Sequence, residues 1–191
     1  MTYNEKTKCS TEGEIKRLLS LSEYNRYRME LLQFMPFRNQ CTQINYYYDT
    51  SCFDLYKAGE TLRVRRREKT LTLEYKCEKQ IEDDVRICKE YTKNMNDIPH
   101  QIILKDYFPK LKKRKTCLYT GHLITERTNY GYGNIIISLD KNIYLDVIDY
   151  EIEIEIPQDV NYQHVIGLLH LNDKISPGKY HRYMDRYLQK Q

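Results

Sequence analysis

The stretch Asp149 to Ile156, DYEIEIEI, constrains this chain more than any other. Glu151, Glu153 and Glu155 alternate with Ile152, Ile154 and Ile156. Side chains of a strand point alternately to its two faces, so the carboxylates share one face and the isoleucines the other. The apolar face requires a core. The acidic face requires water, cations or a metal. Like charges along one face repel, and solvated sheet faces usually mix in Lys or Thr. On this strand alone a solvated face is the simpler account.

Other segments carry the same period. Glu12, Glu14 and Lys16 fall on one face of a strand over Glu12 to Leu19. Arg63, Arg65 and Arg67 share a face of Thr61 to Glu68, opposite Leu62, Val64 and Arg66. Glu74 and Lys76 share a face of the next strand, Thr70 to Cys77. A closed antiparallel barrel turns alternate residues inward and would bring these rows into one lumen. Such a lumen suits a polyanion carried with a cation: guanidinium groups take phosphate oxygens, and carboxylates take a divalent metal. Crowded carboxylates raise the energy of an empty site. An amide at Glu14 or Glu153 is therefore expected to leave the ligand-free protein as stable as before, or more so.

The rest of the chain reads as strands with a few helices. Ser20 caps a helix with Glu23 three residues on, and Tyr24, Tyr27, Leu31 and Phe34 follow at helical spacing before Pro36. Gln43 to Tyr48, Val85 to Thr92, Leu118 to Thr128 and Asn134 to Asp140 read as strands, with turns at Glu82 to Asp84 and Gly131 to Gly133. Helices are expected over Ile98 to Phe108 and Tyr162 to Leu171, and from Ser176-Pro177, with Ser176 as N-cap. No repeat or linker divides the 191 residues, which implies one domain, 1–191.

Several function classes recede. A net charge of +4 is too small to name a partner. The basic run Leu111 to Lys115 reads as a solvated loop, so no nucleic-acid partner is expected. No run approaches the roughly 20 apolar residues of a membrane helix, and Met1 to Ser10 lacks the apolar core of a secretory signal. A cytoplasmic location with no membrane partner is expected. The 6 cysteines form no C-x-x-C pair and read as free thiols. His100, His122, His164, His170 and His181 do not cluster at ligand spacing, and there is no Walker-type glycine loop. The 19 tyrosines read as half-buried sheet residues.

Taken together, E-x-E-x-K at Glu12 to Lys16, YYYDT at Tyr46 to Thr50, AGETLRVR at Ala58 to Arg65, ERT at Glu126 to Thr128, SLD at Ser138 to Asp140, YEIEIE, and the closing GKYHRY resemble the CYTH family of triphosphate tunnel metalloenzymes. The resemblance spans Glu12 to about Arg182. It implies an α+β, mainly β fold: an eight-stranded antiparallel closed tunnel with flanking helices. It implies that Glu12, Glu14, Glu151 and Glu153, assisted by Asp140, bind Mg²⁺ or Mn²⁺. Lys16, Arg63, Arg65, Lys76, Arg127 and Lys179 would hold the phosphates, and Glu90 matches a further tunnel acid. Glu12, Glu14, Lys16, Arg63 and Arg65 would carry catalysis. The implied activity is metal-dependent triphosphate hydrolysis, with inorganic tripolyphosphate the simplest substrate. Thiamine triphosphatase, cyclisation of ATP as in class IV adenylyl cyclases, and non-catalytic binding of polyphosphate or nucleotide are the alternatives. A monomer or homodimer is expected. The chain departs from the family pattern at Gly13, which would loosen the first strand, and at Gly178, where Ser is usual. Glu74 stands where a gapless match puts the family lysine, and Glu155 extends the acidic row.

Overall fold

The computed structural model describes residues 7–82, 85–111, 114–157, 160–171 and 176–191. Nine strands form one sheet in the order β2-β3-β4-β5-β1-β9-β8-β7-β6, and pairing of β2 with β7 closes eight of them into a barrel. The closed strands are β1 (Lys8–Leu19), β2 (Phe37–Asp49), β3 (Thr61–Arg67), β4 (Thr70–Glu82), β5 (Val85–Met95), β7 (Thr116–Tyr132), β8 (Ile135–Tyr144) and β9 (Val147–Ile156). The short β6 (Gln101–Ile103) adds to the start of β7. Every pairing is antiparallel. Helices α1 (Leu21–Phe34), α2 (Asp54–Lys57), α3 (Leu104–Tyr107), α4 (Gln163–Leu169) and α5 (Lys179–Gln189) lie against this frame.

The polarity of the barrel is inverted relative to an ordinary core. Along β9, Ile152 and Ile154 face outward, with Ile15, Ile137 and Leu139 from neighbouring strands. Tyr27 and Leu31 of α1 and Val165 and Leu169 of α4 cover them. A second apolar cluster joins Leu62, Val64, Leu73 and Tyr75 to Leu55, Ile102, Leu104 and Phe108. Each such side chain contributes about 1.5–3 kcal/mol on burial, so the shell outside the barrel holds the fold and frees the lumen for polar groups. A third cluster closes one end: the inward Tyr47, Leu123 and Tyr144 meet Tyr180, Tyr183 and Met184 of α5. Gly121 makes that plug fit. Its φ is +142°, and a Cβ there would lie 1.8 Å from the Tyr183 hydroxyl.

Local chemistry explains where elements begin. The Glu23 amide donates to Ser20 Oγ at 3.2 Å and the Ser20 amide to Glu23 Oε2 at 2.7 Å, the reciprocal cap expected of that spacing. Asp49 of YYYDT is fully buried and accepts from the amides of Thr50, Leu55 and Tyr56 and from the Tyr180 hydroxyl. That aspartate is structural: it caps α2 and ties the plug to β2. Gly13 pairs with both Ile87 and Ile156, so β1 is continuous there, and the expected loosening does not occur.

Several expectations need correction. Phe34 is 77% exposed, because its side chain falls on the outer side of the last turn of α1. The helix expected over Ile98 to Phe108 is β6 followed by one turn, α3; pairing with β7 overrides local propensity. The last helix starts at Lys179 with Gly178 as N-cap. Ser176 instead accepts the Leu18 amide at 2.6 Å, joining the plug segment to β1. β7 extends through Tyr132, past the turn expected at Gly131. Asp83 and Asp84 of the acidic turn, and Lys112 and Lys113 of the basic run, lie outside the described residues.

Candidate active site

The lumen is a cavity of roughly 270 Å³ lined almost wholly by charged side chains. β1 supplies Glu12, Glu14 and Lys16; β3 supplies Arg63, Arg65 and Arg67; β4 supplies Glu74 and Lys76; β5 supplies Arg86 and Glu90; β7 supplies Arg127; β9 supplies Glu153 and Glu155. Lys179 enters from the first turn of α5. The register follows from alternation: Lys16 pairs with Glu153, Arg127 with Asp140, and Asp140 with Glu151 across adjacent ladders. Glu151 and Glu153 of the acidic row are thus buried, at 0% and 6% exposure, while Glu155 stays exposed, so the face is not a solvated one along its length.

At the plugged end, carboxylate oxygens of Asp140, Glu151 and Glu153 all lie within 4.8 Å of one another. The Lys179 ammonium sits among them, 2.8 Å from Asp140 Oδ2, 3.2 Å from Glu153 Oε2, and in contact with Glu151 Oε1. Arg182 grips Glu151 Oε2 at 2.5 Å, and Arg127 grips Asp140 through two contacts of 2.8 Å. Burial would push Glu153 up, but Lys16, Arg127 and Lys179 hold it well below the usual carboxylate range. Glu151 is held to about 2 against the same burial, by Lys179 and Arg182. This donor set fits the divalent cation that the family implies. Hard oxygen donors suit Mg²⁺ or Mn²⁺, and the resident ammonium marks a position built for positive charge. The repulsion expected among empty carboxylates is offset here, because cations from α5, β7 and β1 lie among them.

Toward the open end the pattern loosens. Lys16 reaches Glu14 at 3.0 Å and Glu153 at 3.3 Å. Lys76 reaches Glu12 at 2.7 Å and Glu90 at 3.3 Å. Burial pushes Glu90 up to about 8, Lys76 pulls it down, and a hydrogen bond with Glu12 and the charge of Glu74 push it up again. Glu90 therefore carries a proton near neutrality. Glu155 meets Arg127 at 3.6 Å, with its side chain 48% exposed. Burial and the Glu153 charge raise its pKa. Glu74 pairs with Arg63 at 2.6 Å and Arg65 at 3.4 Å. Burial opposes its ionisation, and Arg63 and Arg65 bring it down to about 2. Arg65 also donates to Asn45 Oδ1 at 3.0 Å. Glu74 thus props the arginine row, while Lys76 faces the acids across the lumen.

Every residue singled out in the sequence lies in or against this lumen. Asp140 and Glu151 form its inner wall through Lys179 rather than lining the open space. Arg67 lines the lumen with Arg63 and Arg65, as the basic row predicts, whereas Arg86 and Arg182 were not singled out. Arg86 continues the alternation of Glu90, so the period carried a signal for it. Arg182 is three residues beyond Lys179 on the same helical face.

A closed antiparallel β-barrel, plugged at one end and lined by opposed carboxylates and cations, defines a charged-tunnel class of protein. The chain belongs to the CYTH domain family, whose model matches residues 10–174. Among solved structures it is similar to a candidate adenylate cyclase from Bacillus halodurans: 23% identity, 92% of this chain and 98% of that one, TM-score 0.69. It is also similar to HpAC1 from Hippeastrum, an adenylyl cyclase candidate with a dominant triphosphatase activity: 22% identity, 83% and 84% coverage, TM-score 0.63. The triphosphatase of the Mimivirus capping enzyme shares the fold at 9% identity, with 84% and 86% coverage and a TM-score of 0.51. None of the curated protein sequences matches this chain. Among the described residues, no helix is long and apolar enough to cross a membrane.

Proposed function

We propose that this protein is a divalent-metal-dependent triphosphatase that hydrolyses inorganic tripolyphosphate inside the tunnel. The supporting observation is the lumen itself. Arg63, Arg65, Arg67, Lys76 and Arg127 share it with Glu12, Glu14, Glu153 and Glu155. A linear polyanion with a hard cation satisfies both signs, whereas an extended apolar ligand satisfies neither. Tripolyphosphate needs charge recognition alone.

Arg63 and Arg65, held by Glu74, align the phosphates along β3 and offset charge on the leaving diphosphate. Lys16 and Arg127 steady the opposite side from β1 and β7. A divalent cation held by the inner carboxylates would free Lys179, whose ammonium would pair with a phosphate oxygen. Glu12, Glu14, Glu151 and Glu153, with Asp140, are the proposed metal ligands. A metal held there would neutralise phosphate charge and make water more acidic for attack. Water attacks the terminal phosphorus, the bond to the bridging oxygen breaks, and diphosphate leaves with the electron pair. Glu14, between Lys16 and Lys76, orients the water, and the open end admits it.

The six free cysteines, three of them buried, suit the reducing cytoplasm, where we place the protein.

A phosphate-release assay over tripolyphosphate, thiamine triphosphate, ATP and diphosphate, each with Mg²⁺ and Mn²⁺, tests the reading. Release from tripolyphosphate is expected to be fastest, and a chelator is expected to stop it without unfolding the protein. No release from any triphosphate would refute hydrolysis and leave a binding module. Faster release from an organic triphosphate would replace the substrate.

A further inference from the structure

Among the described residues, one buried polar side-chain atom has no hydrogen-bond partner: the hydroxyl of Tyr47. Its neighbours in the aromatic end of the barrel behave otherwise. Tyr48 donates to the Pro99 carbonyl, Tyr180 to Asp49 and Tyr183 to the Thr120 carbonyl, at 2.7 to 2.9 Å. A buried hydroxyl left unsatisfied costs about 1–3 kcal/mol, and native structures carry few. Nothing in the packing requires that oxygen. The Tyr47 ring lies 4.8 Å from Tyr180 and 5.3 Å from Tyr183, centroid to centroid, and a phenyl ring fills the same space.

The orphan hydroxyl is fully buried behind the wall of the lumen, on its cationic side. Tyr46 and Tyr48 alternate with Tyr47, so it shares the inward face of β2 with Asn45, which holds Arg65. Directly across the ladder from Tyr47 is Arg63. Burial keeps the phenol protonated, and the charges acting on its oxygen are Arg63, Lys179, Arg65 and Arg182. A neutral O–H among cations turns its lone pairs to them and keeps its proton for an anion.

We infer that the Tyr47 hydroxyl donates a hydrogen bond to an oxygen of the innermost phosphate of a tunnel-bound triphosphate, beside Arg63 at the plugged end. Tyr47 is thus a positioning residue that measures how deep the chain of phosphates is seated. This rests on the reading of the tunnel as a triphosphate site.

Tyr47→Phe tests it, with Tyr46→Phe, on the outward face, as control. Calorimetry with tripolyphosphate under chelator reads binding without turnover. Thermal melts of the ligand-free proteins read stability. Tyr47→Phe is expected to weaken tripolyphosphate binding about tenfold or more, the scale of a hydrogen bond to a charged group. Its ligand-free Tm should equal or exceed that of the wild type, because an unsatisfied group has been removed. Tyr46→Phe should bind as wild type does. Equal affinity of Tyr47→Phe and wild type would overturn the inference alone. So would a Tm lower by more than a few degrees, which would show the hydroxyl already satisfied in the empty protein. A wild type that binds no tripolyphosphate, either under chelator or with Mn²⁺, would overturn the inference and the triphosphate reading together.

Discussion

The two ends of the tunnel use the same residue types in opposite ways. At the plugged end Asp140, Glu151 and Glu153 are buried, and each touches at least two cations. At the open end Glu12 and Glu155 have side chains 44% and 48% exposed, each forming an ion pair with one cation among the described residues. Charge removed from water must be matched closely, because desolvation outweighs any but well-formed pairing. Charge near a mouth is screened and needs little. The inner end is therefore part of the stability of the barrel as well as the proposed metal site. The outer acids are available for ligand at little cost to the fold.

The hardest test of that contrast is Lys179→Met. It removes the ammonium shared by three buried carboxylates and keeps an apolar stem. Breaking a buried pair costs about 3–5 kcal/mol, and the lower figure is expected because Arg127, Arg182 and Lys16 remain. Thermal melts should show the fall, and saturating Mn²⁺ should recover part of it by mass action. An unchanged Tm would erase the distinction between the ends.

Arg65→Ala probes the cationic wall, where function rather than stability is at stake. Loss of a charge-assisted phosphate contact costs about 2–3 kcal/mol. kcat/KM for tripolyphosphate should therefore fall by roughly 30- to 150-fold. Activity within twofold of wild type would remove Arg65 from the site.

Amides sharpen the contrast further. Glu153→Gln should lower the ligand-free Tm by the equivalent of about 2 kcal/mol, because Lys16, Arg127 and Lys179 lose a buried partner. Glu12→Gln should change it by less than about 0.5 kcal/mol. Both should weaken Mn²⁺ binding in a calorimetric titration. Equal Tm shifts would mean that burial does not set the difference.

The last test is in pH. Glu74, Glu151 and Glu153 have folded pKa values below the ordinary 4.5, so they stabilise above that pH. This contribution is lost as pH falls toward about 2, where Glu74 and Glu151 titrate in the folded state. Glu90 has the opposite sign. Its folded value near 8 exceeds the ordinary 4.5, so the unfolded chain releases the proton first and stability declines as pH rises between the two. Glu90→Gln should therefore melt higher than wild type at pH 8, with the gap closing at pH 4.5 and below. A gap constant with pH would place the effect in packing.

The alternation of charge was legible in the sequence because it is a property of single strands. Glu151 to Ile156, Arg63 to Arg67 and Glu12 to Lys16 each state their two faces within a few residues, and Ser20 with Glu23 states a helix start. Opposite signs at one period were enough to suggest a shared lumen. The sequence did not state which row would sit beside which. Lys16 meets Glu153, and Lys179 and Arg182 of the last helix reach Glu151 on β9, through closure of β2 on β7 and docking of α5. Local propensity misled where such contacts won, as in β6, which is strand because β7 lies beside it. It misled again at Ser176, which bonds β1 instead of capping a helix. Tyr47 gave no local sign at all among its neighbouring tyrosines. Whether a hydroxyl finds a partner depends on groups brought together from β2, β3 and α5, and only the folded chain brings them together. Periodicity is written along the backbone, whereas compensation of a buried charge or hydroxyl depends on distances across the barrel.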